Sequence, residues 1–288
     1  MVHPIIPHES NVSSILPALG ADGRANHIAG RNVIRMLRAN DEITQEGGLV
    51  WLNGSTASRT ALPGSSDVDL WITFPTVEAD QAARHAEWYR RREIAVDVIR
   101  RTFGDNIKEK KKCIYVHPAS EDGVELDFTV AQRLPEGDLD EKEFWTLSGE
   151  RIVTSPSRAL RNITKRDART GGAYRSAVLT LKHAKVDLIS AGDITKEAAP
   201  GFHLLGVANA LSDEELLSPK TVLLDRAVEA IRAALCPDNA VNILTIVGTH
   251  HNTFGNGSTE WRQDDARVFA DALSEYASNI EQERIIVA

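Results

Sequence analysis

Gly54-Ser55-Thr56-Ala57-Ser58-Arg59-Thr60-Ala61-Leu62-Pro63-Gly64-Ser65-Ser66-Asp67-Val68-Asp69-Leu70 is the stretch that decides how this chain is built. It sets a Gly-Ser turn ahead of two aspartates in alternation, with the strand formers Leu70, Trp71 and Ile72 on their far side. Side chains alternate faces along a β-strand, so Asp67 and Asp69 project to one side and Val68 to the other. Strand geometry holds two such carboxylates about 7 Å apart, where they repel unless a cation sits between them. Oxygen ligands suit a hard divalent ion, Mg²⁺ above all. The pair predicts a metal site for phosphoryl chemistry.

Upstream, Val50, Trp51 and Leu52 predict the end of a buried strand, and Thr56 to Ala61 a short helix behind Gly54-Ser55. Free backbone N–H groups at a helix start bind phosphate, and glycine lets the phosphate approach the backbone. A phosphate cradle beside a metal-binding strand describes a site for a nucleoside triphosphate with its metal.

The totals bound the reading. With 288 residues, 42% hydrophobic and 26% charged, the chain has the make-up of a soluble globular protein of one or two domains. No apolar run is long enough to span a bilayer, and the start, Met1-Val2-His3-Pro4, lacks the pattern of a secretory signal. Cys113 and Cys236 stand far apart, so neither a zinc site nor a disulfide framework is indicated. These features predict a cytoplasmic enzyme with no membrane partner. The net charge of −8 argues against long nucleic acid as a stable partner. The run Lys108-Glu109-Lys110-Lys111-Lys112 is a local exception, read as a solvated loop or, more sharply, as a phosphate or polynucleotide contact.

Periodicity supplies the organisation. Ile15, Leu16, Leu19, Ile28, Val33, Ile34 and Leu37 predict helix between Val12 and Leu37, and Gly47-Gly48 leads into a strand at 49–52. The aspartate strand covers 67–74. A long helix is expected from Val77 to Phe103, with Ala83, Ala86, Ile94, Val98 and Ile99 as its buried stripe. Strands follow at 113–117 and 123–131. In the second, Glu125, Asp127 and Thr129 share one face, and Leu126, Phe128 and Val130 the other. Carboxylates are rarely buried without partners, so Asp127 is either a solvent-facing strand residue or, more sharply, a third metal ligand. From Phe144 onward the pattern turns helical, with helices expected from Pro156, at 174–189, at 203–211, from Ser218-Pro219 to Leu235, and at 264–280. The fold class is α+β: a mixed β-sheet with flanking helices over residues 1–143, then a helical half over residues 144–288.

With these residues placed, the chain resembles the polymerase-β-like nucleotidyltransferase superfamily. The wording Gly54-Ser55, Arg59-Thr60 and Ser66-Asp67-Val68-Asp69-Leu70 is similar to the oligoadenylate synthase and cyclic GMP-AMP synthase branch, whose bacterial members are the CD-NTases. Trp145, Ser155-Pro156, Asn162, Tyr174-Arg175 and Leu181-Lys182-His183 resemble the later helical stretch of that family. The resemblance implies a palm fold and two Mg²⁺ ions, replaceable by Mn²⁺, held by Asp67, Asp69 and Asp127. It further implies that Gly54 and Ser55 grip the β- and γ-phosphates and that Lys182 meets the donor triphosphate. Two departures stand out. Gly201 and Gly206 occupy a segment where many members carry a serine and then a glutamate, and the cysteine cluster of the zinc-bearing animal members is missing. His250 and His251 are adjacent and would face opposite ways, so they are read as loop residues rather than a metal pair.

The expected reaction is metal-assisted nucleotidyl transfer with loss of pyrophosphate, in which Asp127 also helps draw off the acceptor proton. The leading reading is a messenger synthase joining NTPs into a cyclic or linear oligonucleotide for bacterial antiphage signalling, with a downstream effector that binds the product. The rivals are transfer to an RNA 3′ end, a protein or a small-molecule hydroxyl, and a non-catalytic nucleotide-binding protein. Three metal carboxylates argue against the last.

Overall fold

The computed structural model describes residues 24–62, 67–118, 124–137, 140–236, 244, 254 and 260–287. The chain divides into two units, Met1–Ser157 and Arg158–Ala288.

The first unit is built on a seven-stranded sheet: β1 (Leu49–Leu52), β2 (Val68–Phe74), β3 (Ile107–Glu109), β4 (Ile114–Val116), β5 (Leu126–Arg133), β6 (Lys142–Trp145) and β7 (Arg151–Thr154). The order is β1-β2-β5-β4-β3, with β6 pairing the far end of β5 and β7 pairing β6. Only β2 and β5 run parallel, joined by the crossover through helix α4 (Gln81–Phe103) and the β3–β4 hairpin. Parallel strands need such a crossover, and its helix must pack on the sheet. Leu70, Ile72 and Phe74 of β2, with Leu126, Phe128 and Val130 of β5, therefore face Val96, Ile99 and Phe103 of α4 in one core. Ala29, Val33 and Leu37 of α1 (Arg24–Arg38) join it. Each large apolar side chain so buried contributes about 1.5–3 kcal/mol. The opposite face of the same strands is left for Asp69 and Asp127. Two short helices, α2 (Asp41–Gln45) and α3 (Gly54–Ser58), flank β1.

A smaller cluster of Trp71, Trp88, Phe144, Trp145 and Ile152 seats the β6–β7 hairpin. Beside it Glu143 is fully buried and accepts from Arg84 Nε at 2.8 Å, Arg151 Nε at 2.8 Å and Gln132 Nε2 at 3.1 Å. A buried carboxylate is tolerated because it is paired on every side, and the pairing ties α4 to the hairpin.

The second unit is helical: α5 (Pro156–Arg169), α6 (Ala173–Ala191), a 3₁₀ turn at Lys196–Ala198, α7 (Gly201–Ala210), α8 (Asp213–Leu216), α9 (Lys220–Ala234) and α10 (Gln263–Val287). Its own core takes Leu181 and Leu188 from α6, Leu204 and Val207 from α7, Leu224 and Ile231 from α9, and Phe269 and Leu273 from α10. Gly192 ends α6 in the left-handed conformation, its N–H returning to Leu188 and Ile189 carbonyls.

Several expectations shift. The boundary falls after Ser157, not at 143/144, because the stretch expected to open the helical half forms β6 and β7 of the sheet. Helix α4 begins at Gln81, capped by the Asp80 carboxylate accepting from the Ala83 N–H at 2.9 Å. Val98 and Ile99 are buried and Ile94 half-buried as expected, but Ala83 and Ala86 lie on the exposed side, and the rest of the buried stripe is Trp88, Arg91, Arg92, Ala95, Val96 and Phe103. Arginines belong to that stripe because their stems pack while their heads find partners: Arg91 lies over the Phe74 ring and donates to the Pro75 carbonyl, and Arg92 donates to Glu109. Ser218 does not cap α9, whose preceding residue is Pro219. Helix α8 went unforeseen although Ser212-Asp213-Glu214-Glu215 carries a capping box, Ser212 and Glu215 each bonding the other's backbone. Ile15, Leu16, Leu19, His250 and His251 lie outside the described residues.

Candidate active site

The parallel register of β2 and β5 sets Val68 opposite Leu126 and Asp69 opposite Asp127. Alternation then puts both carboxylates on the face away from the core, because Leu70, Leu126 and Phe128 take the other. Asp67 sits just before β2, where the Val68 N–H bonds the Glu125 carbonyl at 2.9 Å and fixes the start of the strand beside β5. The result is a cluster in which ligand oxygens of Asp67, Asp69 and Asp127 all lie within 4.8 Å of one another. All three are half-buried.

Such a cluster is electrostatically unfavourable on its own. Burial, and then the negative charge and shared hydrogen bond of Asp127, push the Asp67 carboxyl above its usual range. The donor set is all oxygen and compact, and it fits a divalent cation. Asp67 also makes the metal-free fold pH-sensitive. A carboxyl raised in the folded state contributes stability that is complete below its unfolded value and is lost as pH rises through the folded one. Asp67→Asn is expected to flatten that decline in thermal melts run in chelator from about pH 4 to pH 7. An unchanged slope would mean that Asp67 is not held among like charges.

Gly54 forms the second wall. It opens α3 with φ +59°, and a Cβ placed on it would stand 1.8 Å from Asp69 Oδ2. Only a residue without a side chain lets the helix start approach the carboxylate so closely. The preceding Asn53 N–H donates to the Asp69 carbonyl at 2.9 Å, which locks this approach to the strand. At the first turn of a helix the leading N–H groups have no helical acceptor, so those of Gly54 and Ser55 can meet an anion beside the carboxylates. The Ser55 carbonyl is engaged behind the turn by the Thr60 N–H at 2.9 Å and the Ser58 hydroxyl at 3.2 Å. Arg59 then stops the helix in the left-handed conformation, at a cost of about 1 kcal/mol for a residue with a side chain.

Three residues touching Asp127 escaped sequence reasoning. Tyr115 stands opposite it on β4, Cys113 Sγ donates to its Oδ1 at 3.2 Å, and Lys110 Nζ lies 3.5 Å from the same oxygen. Burial and the neighbouring Asp127 push the Cys113 thiol up to about 12, so it stays a protonated donor. The available signal was the alternation of Cys113, Tyr115 and His117 with the core residues Ile114 and Val116. Lys182 lies in the second unit, half-buried on α6, and its Cε would be 3.7 Å from a Cβ added at Gly201.

Two family models match the chain. That of a nucleotidyltransferase domain covers residues 33–138, and that of a cGAS/DncV-like nucleotidyltransferase C-terminal helical domain covers residues 161–278. No curated protein matches it in sequence. Among solved structures, the CdnE c-UMP-AMP synthase of Rhodothermus marinus, held with Apcpp and Upnpp, aligns over 95% of this chain and 97% of its own at 16% identity and a TM-score of 0.67. A STING-associated CdnE c-di-GMP synthase from Capnocytophaga granulosa aligns over 93% of this chain and 84% of its own, at 16% identity and a TM-score of 0.68. CdnC of E. coli MS115-1, in its complex with HORMA-deltaN, aligns over 96% and 91% at 15% identity and a TM-score of 0.61. These likenesses are of fold. Among the described residues no helix is long and apolar enough to cross a membrane.

Proposed function

We propose, for a chain that belongs to the polymerase-β-like nucleotidyltransferase superfamily and to its bacterial CD-NTase branch, that it joins NTPs into a cyclic or linear oligonucleotide second messenger. The observation that carries this reading is the Asp67–Asp69–Asp127 cluster with the Gly54 turn pressed against it. Magnesium is the ion we assign there, with manganese as a substitute. When bound, the ions neutralise triphosphate charge and ease loss of the acceptor proton and of pyrophosphate. Asp67 and Asp69 would hold both ions and Asp127 one of them, and Asp127 would help take the acceptor proton. Backbone N–H groups of Gly54 and Ser55, with the Ser55 hydroxyl, receive β- and γ-phosphate oxygens. Lys182 is the residue assigned to the donor triphosphate. Transfer of this kind rests on positioning and electrostatics and needs no covalent nucleophile.

The solved relatives named as c-UMP-AMP and c-di-GMP synthases support NTPs as both donor and acceptor. A messenger requires a reader, so we place a separate product-binding effector downstream, in antiphage signalling. The test is incubation of the purified protein with all four NTPs and Mg²⁺, with products identified by mass spectrometry. A short oligonucleotide and pyrophosphate are expected, abolished by EDTA and restored by Mg²⁺ or Mn²⁺. Labelling of added tRNA or protein from radiolabelled NTP, with no free oligonucleotide, would assign another acceptor. Full turnover in chelator would remove the metal from the mechanism.

A further inference from the structure

The basic run at 108–112 ends strand β3 and forms the largely exposed turn into β4. Ile107–Glu109 and Ile114–Val116 pair as a hairpin, closed by the Lys110 N–H donating to the Cys113 carbonyl at 2.8 Å. Both ends of this turn reach one oxygen: Lys110 Nζ is 3.5 Å, and Cys113 Sγ 3.2 Å, from Asp127 Oδ1. The Lys110 ammonium also lies 3.4 Å from the centre of the Tyr115 ring, and Tyr115 is the cross-strand partner of Asp127. A cation between a carboxylate and an aromatic face is held from two sides. Lys111 has a different fate, pairing with Glu150 at 3.3 Å.

We infer that Lys110 is a positioning residue, a resident counter-charge that holds Asp127 within the carboxylate cluster before a metal ion neutralises it. Asp67, Asp69 and Asp127 put three negative groups on one half-buried patch, and a single ammonium beside them lowers the cost of assembling it. The same charge repels an arriving dication, so Lys110 favours the metal-free arrangement and opposes metal binding without nucleotide. The metal half of this inference rests on the metal reading of the site; the pairing with Asp127 does not.

The test uses thermal melts of the nucleotide-free protein in EDTA and with Mn²⁺, on wild type, Lys110→Met, Lys110→Arg, Asp127→Asn and the Lys110→Met/Asp127→Asn double variant. In EDTA, Lys110→Met is expected to melt about 2–4 °C below wild type, and Lys110→Arg to match wild type. In the Asp127→Asn background the same Lys110→Met change should cost nothing further. Mn²⁺ should raise the melting temperature of Lys110→Met by more than that of wild type. The inference is overturned if Lys110→Met melts with wild type in EDTA, or if it costs the same with and without the Asp127 charge. If neither wild type nor Lys110→Met gains anything from Mn²⁺, the metal reading is defeated instead, and the EDTA comparison still decides the role of Lys110.

Discussion

Asp69→Ala is expected to lower NTP turnover at least about 1,000-fold while leaving the protein folded. Loss of a ligand that holds catalytic metal removes several kcal/mol of transition-state stabilisation, and about 4 kcal/mol corresponds to three decades of rate. Asp69 stands opposite Asp127 across the parallel pair and against the Gly54 turn. Its removal relieves repulsion among like charges, so the metal-free variant should melt no lower than wild type. Pyrophosphate release and thermal melts in EDTA read the two effects separately. Near wild-type turnover in a folded Asp69→Ala protein would show that the cluster does not hold the catalytic metal.

Gly54→Ala is expected to cost about 100-fold or more in turnover for a smaller loss of stability, because its added methyl falls where Asp69 Oδ2 stands, 1.8 Å away. The carboxylate must swing aside, and an ångström-scale displacement of a catalytic group costs on the order of 100-fold. Backbone strain adds a second effect, since φ at Gly54 is +59°. Gly192→Ala separates the two. It has φ +83° with open space around its Cβ position, so it carries strain without displacing any neighbour. Both variants should lose about 1 kcal/mol of stability to strain. Only Gly54→Ala should lose activity and the stabilisation that Mn²⁺ confers. Equal activity in both would mean that the Gly54 turn is not a wall of the site.

The sequence located the carboxylate cluster because its decisive signals are local. Alternation along a single strand is enough to put Asp67 and Asp69 on one face and to assign Asp127 the face opposite Leu126 and Phe128. Gly54-Ser55 ahead of the aspartates marked the turn, and proline at 156 marked a helix start. Where the local signal was weak the reading slipped. Strands β6 and β7 are four residues each, and Lys142 and Glu143 are buried on β6 beside Phe144 and Trp145, so no period-two pattern announces a strand. The first turns of the α4 stripe were misplaced because Ala83 and Ala86 are apolar but too small to define a packing face, whereas Arg91 and Arg92 bury their stems.

By itself, then, the sequence determined which side chains share a face, which residues carry the carboxylates, and that a sheet-bearing half precedes a helical one. The tertiary structure alone decided that Asp69 stands opposite Asp127, since register between strands far apart in the chain is set by how the α4 crossover and the core seat them. It alone brought Gly54 onto Asp69, and it alone turned a run of lysines into a hairpin whose Lys110 meets Asp127. Those contacts join distant segments, and their energies belong to packing and charge in three dimensions, which no local pattern of residues encodes.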